Sequence, residues 1–272
     1  MSIYRRSTIN INSRGAYSNR SLDPVIKTVS TLGNKLENTN PSTDSEYPLR
    51  RLADILIASI SLVVLSPVIA VASVLIKLES RGPVFYKQER IGLNRRFGNR
   101  RTRSRNEQTE IDITERRSGK DRRHNSEAGK PFIMYKMRTM RSDAEKNGPV
   151  LASVDDSRIT RIGRILRKTR IDELPQFINV IKGDMTLIGP RPERSFYIRA
   201  LEKDVPEFTL RLKTKPGITG LAQVESGYAN TVEAMKTKLT YDLQYILRKS
   251  LLQDLAIVFK TVYVVLSGRG AQ

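Results

Sequence analysis

The sequence contains no cysteine and no tryptophan, and it has a single histidine among its 272 residues. The absence of cysteine excludes disulfides, thiolate metal sites and cysteine nucleophiles. A Ser-His-Asp triad or a histidine-based zinc site would have to use His124, which lies in a highly charged stretch, so we expect neither. Aromatic residues make up only 6% of the chain, which gives little support for a base-stacking surface, and no nucleic-acid partner is expected.

Acidic residues are scarce relative to basic ones: the chain has 28 Asp and Glu against 48 Lys and Arg, a formal net charge of +20. By charge alone, the partner is a nucleic acid, an acidic lipid or a phosphorylated substrate. Hydrophobic residues make up 39% of the chain, enough for a core in one large or two small domains. Residues 1–47 are polar and carry no signal-peptide pattern, and we predict that they form a disordered tail.

Long apolar runs are also rare, and the one that stands out extends from Leu52 to Ile76. About 20 apolar residues suffice to cross a bilayer, so a membrane segment is favoured over the buried core helix of a soluble protein. Near its middle, Pro67 would kink or break the helix, and the Ser66 hydroxyl could bond a carbonyl that the proline leaves without a donor. Basic flanks prefer the cytoplasmic side, so residues 48–80 are predicted to form a re-entrant helical hairpin rather than a straight span. The flanking cations are Arg50, Arg51, Lys77, Arg81, Lys87 and Arg90.

Three further segments bear on the surface of the protein. The charged insert 95–130 is predicted to be a mobile loop, either simply solvated or in contact with acidic lipid or an anionic regulator. Residues 158–170 combine an Ile and Leu face with an Arg-rich face, which suits a helix lying on an anionic membrane or a soluble surface helix. A last amphipathic helix, from Leu251 to Leu266, is interrupted by Asp254 and Lys260 and is not counted as a second span.

The candidate chemistry centres on Asp172 and Glu173, two adjacent carboxylates that precede Pro175. Proline is well placed in the first turn of a helix, so we expect the acids at or near a helix N-terminus, where negative charge is stabilised. Helix capping alone is the alternative reason for carboxylates at this position.

Candidate cations come from two neighbouring patterns. Residues 131–140 alternate like a strand, which would place Lys136 and Arg138 on one face. Prolines on both sides of Arg191 stiffen the loop 188–193 and would hold that side chain in a fixed frame.

A carboxylate pair with several fixed cations and no usable histidine suits phosphoryl transfer. A carboxylate can attack phosphorus and form an acyl phosphate, and the rest of the reaction needs mainly positioning and charge stabilisation. Arginine forks match phosphate oxygens, and a divalent cation can bridge a carboxylate to a phosphate. A cytosolic phosphorylated donor and a lipid-borne acceptor would explain the membrane segment.

Eight motifs, in order along the chain, carry a resemblance to a known family. They are Arg51–Asp54, Ser66-Pro67, Gly82–Gly92, Lys136–Met140, Arg170–Gln176, Gly189–Glu193, Pro216–Gln223 and Tyr241–Tyr245. With them the chain resembles the bacterial sugar transferase family, the monotopic polyprenyl-phosphate phosphoglycosyl transferases, over nearly everything after residue 47.

This resemblance implies a mixed α/β, mainly helical catalytic domain, residues 81–272, on a re-entrant helical hairpin with interfacial amphipathic helices. It implies a place at the cytoplasmic face of the bacterial inner membrane, in contact with anionic lipids. The implied reaction transfers sugar-1-phosphate from a nucleoside-diphosphate sugar, usually a UDP-sugar, to undecaprenyl phosphate and releases UMP. It would proceed by a ping-pong mechanism through an aspartyl-phosphosugar, as the first membrane step of exopolysaccharide, capsule, O-antigen or glycan assembly.

The resemblance also implies roles for individual residues. Asp172 would be the nucleophile and a Mg²⁺ ligand, and Glu173 would position the site or handle the proton of the acceptor. The phosphates would be held by Lys136, Arg138, Arg170 and Arg191.

The chain departs from the family pattern in its insert 95–130 and in lacking the extra membrane helices that longer relatives carry ahead of the catalytic domain. A membrane-tethered basic binding protein, or a scaffold without catalysis, is the alternative interpretation. The sequence identifies neither the sugar nor the pathway, and it leaves a homodimer open.

Overall fold

The computed structural model describes residues 24–38, 48–94, 129–144, 146, 156–226 and 232–267. Over these residues the fold is mainly helical with two small sheets, which confirms the predicted mixed α/β class. The helices are α1 Pro24–Asn38, α2 Pro48–Glu79, α3 Arg161–Lys168, α4 Gln176–Lys182, α5 Ser195–Asp204, α6 Leu221–Glu225, α7 Val232–Arg248 and α8 Leu251–Leu266. Two 3₁₀ segments, η1 Ile171–Glu173 and η2 Pro206–Lys213, and four strands, β1 Phe85–Ile91, β2 Pro131–Met137, β3 Thr186–Ile188 and β4 Gly217–Thr219, complete it.

The strands form two pairs. β1 and β2 are an antiparallel hairpin with Tyr86 opposite Lys136, and β3 pairs in parallel with β4. At the far end of the hairpin, the Gly92 amide donates to the Lys130 carbonyl at 2.9 Å. Residue 130, assigned to the insert by the sequence, therefore belongs to the hairpin, and residues 95–128 of the predicted loop lie outside the described residues.

Helix α1 corrects the prediction of a disordered tail over residues 1–47. Val25, Val29, Leu32 and Leu36 recur at helical spacing, and this stripe packs into the main core against η2 and α7. The abundance of Ser, Asn and Thr around the stripe concealed it. The remainder of the predicted tail lies outside the described residues.

Helix α2 has 32 residues and remains helical through Pro67. It is the one described helix that is long and apolar enough to cross a membrane, by length and composition. The Ser66 hydroxyl donates to the Val63 carbonyl at 2.7 Å, which is the acceptor that the missing N–H of Pro67 would have used. This confirms the role expected for Ser66, whereas the re-entrant geometry stays a prediction.

The N-terminal part of α2 is anchored on the domain by two charged residues. Arg51 donates to the carbonyls of Val180 and Ile181 at the end of α4, at 2.6 and 2.8 Å. The buried Asp54 accepts from the Thr186 hydroxyl at 2.6 Å and from an amide of β3. These contacts explain a charged residue near the start of the apolar run.

The C-terminal part of α2 is anchored on the same domain. Ile76 packs with Met137 of β2 and Leu166 of α3, and Glu79 accepts from the first amides of α3. Between these two anchors most side chains of α2 are exposed on the surface of the protein.

The main core lies beneath α1, α5, η2 and α7. It closes around Tyr245, whose hydroxyl donates to the Ile188 carbonyl at 3.0 Å. The largest fully buried members are Tyr245, Phe208, Leu36, Ile198, Leu239, Leu243 and Ile257.

Candidate active site

The carboxylate pair lies on the short η1 turn between α3 and α4. The preceding residue, Arg170, has a left-handed backbone with φ 60°, which turns the chain sharply at the end of α3. Asp172 and Glu173 are buried, with 6% and 8% of their surfaces exposed. The pair was expected at or near a helix N-terminus, and it lies one turn before α4.

Helix capping does not account for the pair. The N-cap residue of α4 is Pro175, which makes no side-chain capping bond. The carboxylate of Glu173 is occupied by cations, and Asp172 Oδ1 has no hydrogen-bond partner among the described residues. Because burying a carboxylate without capping or pairing it costs stability, this arrangement favours a chemical role over a capping one.

Glu173 collects three of the predicted cations. Lys136 Nζ lies 3.0 Å from Glu173 Oε1, and Arg191 approaches both carboxylate oxygens at 2.7 and 3.3 Å. Arg170, three residues earlier at the start of η1, lies 3.9 Å from Glu173 Oε1. Although burial opposes it, the charges of Arg191 and Lys136 hold the pKa of Glu173 well below its usual value.

Asp172 has the opposite electrostatic environment. Burial raises its pKa, and the charge of Lys136 only partly offsets this effect. The pKa values of the two neighbouring carboxylates therefore shift in opposite directions, as expected where two acids serve different roles.

The two best-placed cations are also electrostatically linked to the pair. Burial lowers the pKa of Lys136, while the charge of Glu173 raises it. Glu173 raises the pKa of Arg191 above its ordinary value. Both side chains thus present positive charge toward the carboxylates from two separate elements, β2 and the loop after β3.

Arg138 is not brought to the carboxylates. Strand β2 ends at Met137, so the alternation that would have aligned Lys136 with Arg138 stops one residue short. The Arg138 guanidinium donates instead to the carbonyls of Arg81 and Ser80, at 2.8 and 2.7 Å, and so ties down the end of α2. Its placement gives no support to the predicted role in phosphate binding.

The loop that carries Arg191 is held against β4. The Gly189 amide donates to the Thr219 carbonyl, and the Gly217 amide donates to the Pro190 carbonyl, at 2.8 and 2.9 Å. A Cβ on Gly217 would lie 2.1 Å from the Gly189 nitrogen, so only glycine permits this approach. The two Gly/Pro segments noted in the sequence are therefore one structural unit.

Four charged residues around this loop were not predicted as site residues, although Arg90 was noted as a cation that flanks the apolar run. Arg90 lies 3.4 Å from Glu193, and Arg211 lies 2.8 Å from Asp242. Asp242 belongs to the Tyr241–Tyr245 motif and Arg90 and Glu193 to two others, which offered a signal. Arg211 lies in no motif, and no local pattern marked it.

The described residues contain no cluster of three or more side chains suited to hold a metal ion. Magnesium needs no such cluster, because it is often bound by one or two carboxylates together with substrate phosphates. Asp172 Oδ1, which is buried without a partner, fits one such ligand position.

A buried carboxylate beside a cation-bound one, on a mixed α/β domain joined to a long apolar helix, suits an enzyme that works at a membrane surface. The model of the bacterial sugar transferase family matches residues 45–127 and 117–268. The chain therefore belongs to the bacterial sugar transferase family, which confirms the resemblance.

Three relatives illustrate the match. A UDP-N-acetylgalactosamine-undecaprenyl-phosphate N-acetylgalactosaminephosphotransferase of Aeromonas hydrophila is 38% identical over 88% of this chain and 48% of its own length. A UDP-glucose:undecaprenyl-phosphate glucose-1-phosphate transferase of Caulobacter vibrioides is 36% identical over 78% and 68%. An exopolysaccharide production protein of Rhizobium leguminosarum is 34% identical over 79% and 93%. The chain thus spans about half the length of the first relative and most of the last.

Proposed function

We propose that this protein transfers sugar-1-phosphate from a UDP-sugar to undecaprenyl phosphate and releases UMP. The observation that carries the proposal is the buried, unpartnered Asp172 Oδ1 beside a glutamate held by Lys136 and Arg191. The names of two relatives specify the same acceptor and two different UDP-sugars. Since those sugars differ, the donor sugar and the polysaccharide pathway remain to be found by a donor screen.

In the first half-reaction, an oxygen of the ionised Asp172 attacks the β-phosphorus of the donor. The new oxygen–phosphorus bond forms as the bond to the α-phosphate oxygen breaks, and UMP leaves with the electron pair. In the second half-reaction, a phosphate oxygen of undecaprenyl phosphate attacks the same phosphorus, and the Asp172 carboxylate leaves. This balance needs no external base in the first step.

The neighbouring residues stabilise charge during both steps. Lys136, Arg170 and Arg191 converge on Glu173 and lie beside the phosphate position. Because Glu173 is held ionised, we assign it the role of positioning these cations rather than carrying the proton of the acceptor. Mg²⁺, with Asp172 as its protein ligand, would neutralise diphosphate charge.

We further propose that α2 is a re-entrant membrane helix on the cytoplasmic face of the inner membrane. Both of its ends are anchored on one domain, through Arg51 and Asp54 at the start and through Ile76 and Glu79 at the end. A helix whose exposed middle enters the lipid while both ends stay on one side must turn within the bilayer. Ser66 supports such a turn, because it supplies the donor that Pro67 lacks.

The reaction is tested with purified protein in detergent or nanodiscs, undecaprenyl phosphate, Mg²⁺ and a panel of UDP-sugars. We expect the wild type to release UMP with at least one donor and Asp172→Asn to release none. Incubation with labelled donor alone should leave a phosphosugar on the wild-type chain. Turnover by Asp172→Asn would remove the nucleophile assignment, and a wild type inactive with every donor would favour the scaffold interpretation.

A further inference from the structure

The loop that presents Arg191 is unusual in how its backbone is held. Prolines flank Arg191 on both sides, and proline has no backbone N–H, so the loop has few donors with which to bind its surroundings. Its carbonyl groups serve instead. Three successive carbonyls accept bonds from three different elements: Pro190 from the Gly217 amide at 2.9 Å, Arg191 from Arg211 Nη2 at 2.9 Å, and Pro192 from Arg90 Nη1 at 3.0 Å.

Arg211 makes the central of these three bonds. It extends from η2, is 7% exposed, and lies over the Phe208 ring with its guanidinium 4.9 Å from the ring centroid. Its donor Nη2 also lies 2.8 Å from Asp242, and its Nη1 lies 3.8 Å from Glu193. A planar guanidinium in a well-packed site has little freedom to move, so its partners determine where its donors point.

Asp242 is the nearest charged partner of Arg211. It is 2% exposed, and it extends from α7 to the same guanidinium nitrogen that donates to the Arg191 carbonyl. A buried ion pair of this kind is weak evidence for stability, because removing the charges from water offsets much of their attraction. The ion pair matters instead for the geometry of the site, because it favours one orientation of the Arg211 guanidinium.

We propose that Arg211 and Asp242 are positioning residues for the proposed transfer reaction, on which this inference rests. Asp242 orients the Arg211 guanidinium, and Arg211 holds the Arg191 carbonyl. The Arg191 side chain is thereby aimed at Glu173 and the donor phosphates. Neither residue touches the reacting atoms; both act through Arg191.

The environment of Asp242 agrees with this arrangement. Burial raises the pKa of Asp242 to about 6, and the nearby Glu193 charge raises it as well. Arg211 from η2 and Lys238 from α7 lower it. The ion pair between Asp242 and Arg211 therefore exists only while Asp242 is ionised.

A double-mutant cycle separates positioning from general support of the fold. In the otherwise wild-type chain, Asp242→Asn should lower kcat/KM for the donor by about 10- to 100-fold, since small misplacement of a catalytic group costs about this much. In the Arg191→Ala background the same change should cost less than about 3-fold, because residues that act as a unit are non-additive. Equal losses in both backgrounds would overturn the proposal.

The matched control is Asp156→Asn. Asp156 is also buried and paired with an arginine, Arg158, in the turn before α3. Its removal should change kcat/KM by the same small factor in both backgrounds. Where Asp242→Asn does not fold, Arg211→Lys takes its place in the cycle, because one ammonium cannot serve both the carbonyl and the carboxylate, and the same two outcomes decide.

Amide hydrogen exchange provides a readout that needs no turnover. Exchange at the amides of Gly189, Arg191 and Glu193 should be faster in Asp242→Asn than in the wild type, while thermal unfolding stays cooperative. Unchanged exchange in a folded variant would contradict the positioning role. If the wild type is inactive with every donor, the failure belongs to the proposed reaction, and the exchange measurement still decides the role of Asp242.

Discussion

The adjacent residues Asp172 and Glu173 have different electrostatic environments. Glu173 binds Lys136 and Arg191 directly and stays ionised, whereas burial biases Asp172 toward its protonated form. The cationic side chains therefore pair with Glu173, and Oδ1 of Asp172, the proposed nucleophile, has no hydrogen-bond partner among the described residues.

The raised pKa of Asp172 predicts the pH dependence of the first half-reaction. In the proposed mechanism the ionised carboxylate is the reactive form, so the rate should fall as the pH falls through the raised pKa, at a higher pH than for an ordinary aspartate. In a ping-pong reaction, kcat/KM for the UDP-sugar reports this step. A profile that stays flat down to the usual range of aspartate would contradict the prediction.

Mutation of Lys136 should affect mainly activity, and mutation of Arg138 should affect mainly stability. Lys136→Ala removes a cation from the phosphate position and should lower kcat/KM about 100-fold or more, with little change in the unfolding temperature. Arg138→Ala breaks charged hydrogen bonds at the end of α2 and should lower stability by about 2–4 kcal/mol, while each folded molecule stays active. Thermal unfolding and donor kinetics on both variants check this contrast, and equal loss of activity in both would contradict it.

The same pair shows what a local pattern can and cannot predict. Alternation correctly predicted a strand up to Met137, but it did not predict that Lys136 faces the carboxylates. The alternation did not hold at Arg138. Nothing in the local sequence showed that β2 ends at Met137, or that the carbonyls at the end of α2 accept hydrogen bonds from Arg138. Arg211 was missed for a related reason: its partners lie 20 and 31 positions away in sequence and meet only through the fold.

At the scale of elements, the sequence predicted the helices that carry a long apolar run or a clear amphipathic stripe, and it predicted none of α1, α5 and α7. The apolar run, the basic helix and the final amphipathic helix correspond to α2, α3 and α8. Helix α1 carries an equally regular stripe, but polar residues surround it. It also begins before the residues that the family model matches.

Helix α1 should contribute measurably to stability. Leu36 is fully buried between η2 and α7, so Leu36→Ala should destabilise the protein by about 2–5 kcal/mol through lost burial and a residual cavity. Lys27→Ala on the exposed face of the same helix is the control and should change stability by less than about 0.5 kcal/mol. Chemical unfolding of both variants measures the difference. A small effect of Leu36→Ala would mean that α1 is not part of the cooperative core.

At the scale of the whole molecule, apolar side chains are exposed on α8 as well as on α2. Of the two charges that interrupt α8, Asp254 does not lie on this apolar surface, whereas Lys260 is exposed. Asp254 is buried, where it pairs with Arg50 and accepts from the Tyr245 hydroxyl, and Lys260 pairs with Glu225. An exposed apolar helix beside a helix that is long and apolar enough to cross a membrane fits a domain that rests on the lipid surface. The exposed side chains of α8 are Leu251, Leu252, Leu255, Val258, Phe259, Val262, Tyr263 and Leu266.

Membrane topology is the prediction that tests this arrangement as a whole. Because the chain has no cysteine, one introduced thiol reports the position of one site. Lys27→Cys in α1, before the membrane helix, and Glu202→Cys in α5, after it, are both exposed positions. If α2 turns back within the bilayer, both thiols face the cytoplasm.

In intact cells, an impermeant thiol reagent should therefore label neither variant, and after permeabilisation it should label both. A straight span would place the two sites on opposite sides, so that one variant labels in intact cells. That result would also separate α1 from α7, against which it packs here, and would move the start of α2 away from Thr186 and α4. Labelling thus tests the membrane geometry and the packing of α1 together, because both require the two ends of α2 to share one compartment.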